Sequence, residues 1–277
     1  MTAPHRRIDH LVHAVRDLEA AAALYQRLGF RVGARNRHPW GTENRLIQLR
    51  ASFIELITVA ADQETPPHDP GRFSFGRFIH DYLQEREGIA MLALDSTDAR
   101  ADAARFAEAG LGAFAPFHFG RTGRRPDGSE TRVAFTLAFA CDPGVPSAAF
   151  FACQHHFPES FWDPAFQMHP NGATHIPTVT IASPDPAARS EFLSILTETD
   201  ARPRDGGIAF PLGNAGGLAA VTGDAGIAAY SVAVADPATL AAELRAAAIP
   251  HEGLLDGITL RGTEAHGVEI RLISADG

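Results

Sequence analysis

A few imidazoles, carboxylates and amides in this chain stand where they could do chemistry. His10 lies in the opening apolar run IDHLVHAV and Glu55 in the run FIELI. A neutral imidazole and a carboxylate are borderline-to-hard donors, suited to Zn, Mn, Fe, Ni or Co. With only two or three protein ligands, such an ion keeps positions open for water and substrate. The group Gln154-His155-His156 closes the run SAAFFACQHH. Gln154 and His156 are two residues apart, so on a strand they share a face. Gln154 can ligate through its carbonyl, and His155 or His156 titrates near neutrality, as a general base should. The turn Arg37–Asn44 (RHPWGTEN) brings His38, Trp40 and Asn44 into one shaped segment, where Asn44 could orient a carbonyl or carboxylate. In HFGRTGRR, Arg121 offers a bidentate fork to an anion. Taken singly, each of these residues also suits a solvated strand end, turn or surface loop. The elements that position them decide between the two.

Those elements repeat. Four segments each open with a short apolar run, turn at an acidic residue or proline, continue as an Ala-rich helix and end in strands. The first begins at Ile8, turns at Asp17 and runs a helix through LEAAAALYQRLGF, closed by Gly29. Leu18, Ala22, Tyr25 and Leu28 fall near one face of that helix. The second begins at Gly88, with a helix ARADAARFAEAG and a long polar loop GRTGRRPDGSET before its later strands. The third begins near Thr174 and the fourth with IAAYSVAVADP. A strand–helix–strands unit recurring four times is a repeat architecture, and a unit too small to bury its own core must pair. The stretch FPESFWDPAFQMHPNG breaks the pattern midway. Its proline and aromatic content predicts an ordered, packed connection between two pairs. His13, facing opposite to His10, is expected to pack against the first helix.

Bulk composition narrows the class. The chain has 277 residues, 45% of them hydrophobic, and a formal net charge of -9, which argues against a phosphate-binding groove. It contains no lysine, so an anion site must use arginine. Two cysteines make neither a disulfide framework nor a Cys-rich zinc site. No apolar leader core and no apolar run of about 20 residues is present, and the expected location is cytoplasmic.

IDHLVHAVRDLEAAAALYQRLGF, followed by HPWGTEN and FIELI, resembles the glyoxalase-like branch of the vicinal-oxygen-chelate superfamily, and the likeness extends over nearly the whole chain. It implies an α+β fold of four βαβββ modules forming two tandem glyoxalase/bleomycin-resistance/dioxygenase-type domains. The first, 1–160 (modules 8–59 and 88–157), would carry the metal and substrate site. The second, 161–277 (modules 173–222 and 227–274), would lack metal. The family holds a divalent ion inside a half-open barrel through a first-strand His and a last-strand Glu, which are His10 and Glu55 here. In the second module the first-strand position falls on Ala90 or Met91, so Gln154 and His156 are expected to complete the ligand set. The third offers Pro177 or Thr178, and the fourth places Arg271 at the Glu position. Glu55 and His156 are the expected catalytic residues. His38, Trp40, Asn44 and Arg121 are the expected substrate contacts.

The resemblance thus implies a metal-dependent lyase or isomerase acting on a small oxygenated metabolite, the metal being Zn, Mn, Fe, Ni or Co. Two alternatives stay open. One is a metal-free binding or resistance protein that sequesters a small molecule, with Trp40, Phe53 or Phe151 and Arg121 lining its cavity. The other is an extradiol-type dioxygenase, disfavoured because the second domain lacks that ligand set. A small molecule is the expected partner, with neither nucleic acid nor membrane, and a homodimer is left open.

Overall fold

The computed structural model describes residues 6–124 and 130–275. The first unit runs β1 (Ile8–Ala14), α1 (Leu18–Arg27), β2 (Asn36–Arg37), β3 (Thr42–Gln48) and β4 (Phe53–Val59). A helix that the repeat pattern does not announce, α2 (Phe75–Glu85), follows it. The second unit is β5 (Gly88–Asp95), α3 (Ala99–Glu108), β6 (Phe117–Arg124), β7 (Glu130–Ala140) and β8 (Ala149–His155). A short helix α4 (Pro158–Phe161) opens the connection. The third unit is β9 (Val179–Ser183), α5 (Ser190–Thr197), β10 (Arg202–Arg204), β11 (Gly207–Pro211) and β12 (Gly217–Thr222). The fourth is β13 (Gly226–Val234), α6 (Pro237–Ala246), β14 (Glu252–Gly253), β15 (Gly257–Leu260) and β16 (Glu269–Ser274).

Local chemistry explains where the helices start. Asp17, Asp98 and Asp236 each sit at an N-cap and accept backbone N–H groups of the first turn of α1, α3 and α6, satisfying donors that a helix start leaves unpaired. α1 ends at Gly29, whose φ of +81° suits a residue without Cβ. A Cβ there would also collide with Asn171 of the connection.

Every unit pairs its first and last strands in parallel and continues antiparallel. Units one and two join through antiparallel β1 and β5, giving the order β2-β3-β4-β1-β5-β8-β7-β6. Units three and four join in the same way through β9 and β13. A contact of β13 with β5 at Ile227 and Ile89 makes the two halves one sheet. The stretch HFGRTGRR, expected as a loop, is instead β6, paired with β7 from Phe117 opposite Leu137 to Arg124 opposite Glu130. Its arginines and glycines suit the position it takes, the outer edge of the sheet, where one side of the backbone stays open to solvent. Arg125, the last residue of that stretch, lies outside the described residues.

One continuous apolar core joins all four units. It includes Leu24 and Tyr25 of α1, Phe106 of α3, Phe192 of α5, Leu240 of α6 and the strand residues facing them. A second, smaller cluster lies on the opposite face of the first pair, where α2 packs Phe75, Ile79 and Leu83 against Met91, Phe139 and Phe151. α2 comes close because residue 76 is glycine: a Cβ there would lie 2.0 Å from the Trp40 carbonyl oxygen.

His13 faces away from His10, as its spacing predicts, and is wholly buried. Its Nδ1 meets the Tyr25 hydroxyl at 3.0 Å, and its Nε2 meets the His266 carbonyl oxygen at 3.0 Å. Tyr25 in turn bonds Tyr230 of β13, so this polar thread ties unit one to unit four. Burial lowers the His13 pKa from 6.5 to about 4, the His266 carbonyl only partly opposing it. Between pH 6.5 and about 4 the unfolded chain therefore takes up a proton that the native chain refuses. Stability should fall by about 1.4 kcal/mol per pH unit, roughly 3 kcal/mol over that window. Denaturant titrations of wild type and His13→Gln at several pH values check this. The expected result is a shallower acid slope in the variant, and equal slopes would refute it.

The connection between the pairs is ordered, as its composition predicts. The Gln48 side chain donates to the Phe161 carbonyl at 2.8 Å and accepts from the Asp163 N–H. His169 bonds the Gln48 carbonyl through Nε2 and accepts the Arg31 N–H at Nδ1. The Asn171 amide donates to the Leu28 carbonyl at the end of α1.

Candidate functional site

The curved sheet of the first pair encloses a cavity of about 90 Å³. Most of its polar lining comes from unit one, with His10 on β1, Asn36 on β2, Asn44 on β3 and Glu55 on β4, and His38 in the turn between β2 and β3, while β8 adds Cys153. Its aromatic lining is shared. Trp40 and Phe53 come from unit one, Phe117, Phe119 and Phe135 from unit two, Phe75 from α2 and Phe161 from the connection. Arg121 of β6 stands at the rim, exposed. His10, Glu55, His38, Trp40, Asn44 and Arg121 are thus brought to one place.

His10 is fixed on three sides. Its ring stacks on Phe53 at 4.2 Å, meets Phe151 edge-on at 5.2 Å, and holds Asp9 Oδ2 at Nδ1, 2.6 Å away. Strict alternation would send Asp9 to the helix-side core. A β-bulge prevents this: Ile8 lies opposite Leu94 and His10 opposite Ala93, so β1 carries one extra residue. The apolar residues Ile8 and Leu11, spaced by three instead of two, are the sequence signal of that bulge.

Asp9 is buried. Burial opposes its ionisation, but His155 and the hydrogen bond to His10 outweigh it and hold its carboxyl well below the usual range. His155 Nε2 lies 2.9 Å from Asp9 Oδ1, within ion-pair reach but outside hydrogen-bond geometry. The His155 ring stacks on Trp162 of the connection. The Cys153 thiol lies within 4.8 Å of the Asp9 and His10 donor atoms, and burial raises its pKa.

Glu55 accepts the Asn44 amide N–H at Oε1, and His38 Nε2 stands 3.9 Å from the same oxygen. Among the described residues no hydrogen bond reaches Oε2. His38 stacks on Trp40 at 4.4 Å, and its Nδ1 meets the Thr42 hydroxyl at 2.9 Å. Burial, with help from the Arg121 charge, holds its pKa below the ordinary value against the pull of Glu55. A neutral His38 donating from Nδ1 leaves Nε2 to accept from Asn44, 3.3 Å away.

Gln154 and His156 do not join this group. β8 turns Phe151, Cys153 and His155 toward the cavity side and Phe150, Ala152 and Gln154 toward the helices. The Gln154 side chain donates to the Thr97 carbonyl at 2.7 Å and accepts the Ala99 N–H, bracing the start of α3. His156 is exposed, with Nε2 at 2.8 Å from the Thr136 hydroxyl. The strand register shows why the final-strand alignment is off. His10 lies opposite Phe53, two residues before Glu55, and Met91 lies opposite Ala149, two residues before Phe151. The second-unit counterparts of His10 and Glu55 are therefore Met91 and Phe151, neither of which suits a hard divalent ion.

The chain matches the family defined by a glyoxalase-like domain over residues 8–197, more than half its length. It belongs to the glyoxalase-like domain family. This sets the chain within the vicinal-oxygen-chelate superfamily. Among solved structures, this glyoxalase-like chain is similar to a hypothetical protein from Staphylococcus aureus at 14% identity and a TM-score of 0.68, covering 97% of this chain and 99% of that one. It is similar to the Mn(II)-bound glyoxalase from Novosphingobium aromaticivorans at 12% identity and a TM-score of 0.60, covering 99% and 83%. It is also similar to a mutant 4-hydroxymandelate synthase from Streptomyces coelicolor at 14% identity and a TM-score of 0.58, covering 99% and 94%. At these identities the likeness is one of fold. A sequence search of curated proteins finds no match. No helix among the described residues is long and apolar enough to cross a membrane.

Proposed function

We propose that this glyoxalase-like chain holds a divalent metal through His10 and Glu55 and acts as a lyase or isomerase on a small oxygenated metabolite. The first pair, 1–160, carries the site, and the second, 161–277, acts without metal. The observation that carries this reading is that both donors line one cavity with their other atoms already engaged. Asp9 fixes His10 through Nδ1 and leaves Nε2 for coordination, the carboxylate–histidine arrangement that orients metal-binding imidazoles. Asn44 fixes Glu55 through Oε1 and leaves Oε2.

The donor set fits a lightly held ion. An imidazole and a carboxylate come from unit one, and the Cys153 thiol of unit two stands within 4.8 Å of the His10 donor atom, while Met91 and Phe151 supply no hard donor and would leave positions to water and substrate. A divalent ion there would polarise adjacent substrate oxygens as a Lewis acid. The protein's own contribution is to keep the imidazole and carboxylate in register and to surround them with aromatic rings.

Titration calorimetry with Mn(II) and Zn(II), together with elemental analysis of purified protein, tests this. One ion per chain is expected. The apolar residues Met91 and Phe151 favour a second reading, a metal-free protein that sequesters its ligand. Absence of any bound ion after both titrations would replace the first reading by the second.

A further inference from the structure

The cavity has a polarity that runs from rim to floor. Arg121 donates from Nη1 to Asn36 Oδ1 at 3.1 Å. Asn36 donates from Nδ2 to Asn44 Oδ1 at 3.3 Å. Asn44 donates from Nδ2 to Glu55 Oε1. Every bond in this line points inward, from a guanidinium at the mouth to a carboxylate inside. Asn36 spends its amide oxygen on Arg121 and its N–H on Asn44, so it serves as a spacer that keeps cation and anion apart. Among the described residues the two make no direct ion pair. Arg121 keeps further N–H groups for an incoming partner, and among the described residues no carboxylate lies within 4.0 Å of its guanidinium.

The same cavity is walled by rings. Phe117 and Phe119 meet Trp40 edge-on at 5.1 and 4.8 Å, and Phe53 meets Phe161 at 5.1 Å. Such walls present ring faces and edges to whatever fills the space, and they favour another ring over an alkyl chain of equal size. The ligand that satisfies mouth, wall and floor together has an oxyanion at one end, a flat ring in the middle and an oxygen at the other.

We propose that the cavity takes a single-ring aromatic carboxylate bearing an oxygen substituent. Its carboxylate pairs with Arg121 at the mouth, and its far oxygen reaches the His10–Glu55 end. This rests on the proposed site and adds the class and the direction of its ligand. The guanidinium fork matches a planar carboxylate with two parallel bonds. The aromatic walls hold the ring, and in the metal-free protein the floor offers Glu55 Oε2 to a ligand hydroxyl.

A matched set of probes tests it by quenching of Trp fluorescence or by calorimetry, in EDTA-treated protein and again with Mn(II) present. 4-Hydroxybenzoate is expected to bind at least tenfold more tightly than phenol, which lacks the anion. The same margin is expected over 4-hydroxycyclohexanecarboxylate, which lacks the flat ring. Arg121→Gln should remove the advantage over phenol and leave phenol itself unchanged. Equal affinity for the three probes, no binding of 4-hydroxybenzoate, or an unchanged preference in Arg121→Gln would overturn the proposal. The metal reading fails separately, by absence of ion binding without any probe, and the probe ranking in EDTA stands or falls without it.

Discussion

Alanine at His10 is expected to lower divalent-ion affinity by more than ~100-fold, the largest functional effect that a single substitution should produce here. The imidazole is one of the two proposed ligands, and at the matching positions the second unit offers Met91 and Phe151. Glu55→Gln should weaken binding too, while keeping the Asn44 hydrogen bond and hence the local fold. Asp9→Asn should cost less, about 10- to 100-fold, because Asp9 acts through His10 by fixing its ring and tautomer. This graded series separates a ligand from the group that orients it. Calorimetry with Mn(II) on each variant, beside a thermal melt to confirm folding, reads it out. Unchanged affinity in His10→Ala would remove the proposed centre. A loss in Asp9→Asn equal to that in His10→Ala would make Asp9 a direct ligand.

The largest effect on stability is expected for Phe150→Ala, about 3–5 kcal/mol. Phe150 is wholly buried on the helix side of β8, and its ring meets Phe192 of α5 at 5.0 Å and 67°. The lost ring would leave a hole where the second unit meets the third, in the core that all four units share. For a chain of this size such a loss lowers Tm by roughly 10 °C. Because the core is continuous, the variant should still melt in one transition in calorimetry. Two separated transitions, with only one of them shifted, would show that the pairs unfold independently.

How much of this could be seen in the sequence depends on the range of the information. The units themselves are legible because apolar periodicity, an aspartate cap and a closing glycine are local signals. His10, Glu55, His38, Trp40, Asn44 and Arg121 can be picked out for the same reason: each follows from its own strand or turn. Asp9 is harder, since its orientation depends on a bulge visible only as an irregular spacing of Ile8 and Leu11. Gln154 lies outside because the alignment that pairs it with Glu55 is three residues out of register, and any odd shift exchanges the two faces. The sequence names the cluster but not which of Cys153, Gln154, His155 and His156 looks inward. Phe75 and Phe161 were not legible as cavity residues at all. Their places depend on how α2 and the connection fold back onto a sheet made from other parts of the chain.

Phe161 carries one further consequence. It belongs to the stretch that leads out of the first half of the molecule, yet its ring seals the chamber in which that half would do its work. The halves therefore cannot be traded or trimmed as free-standing cassettes. A protein cut after β8 would keep every polar group of the chamber and lose part of its roof, along with the tether that Gln48 and His169 hold in place. The polypeptide is built so that the later half, without lending a donor of its own, keeps the earlier half closed.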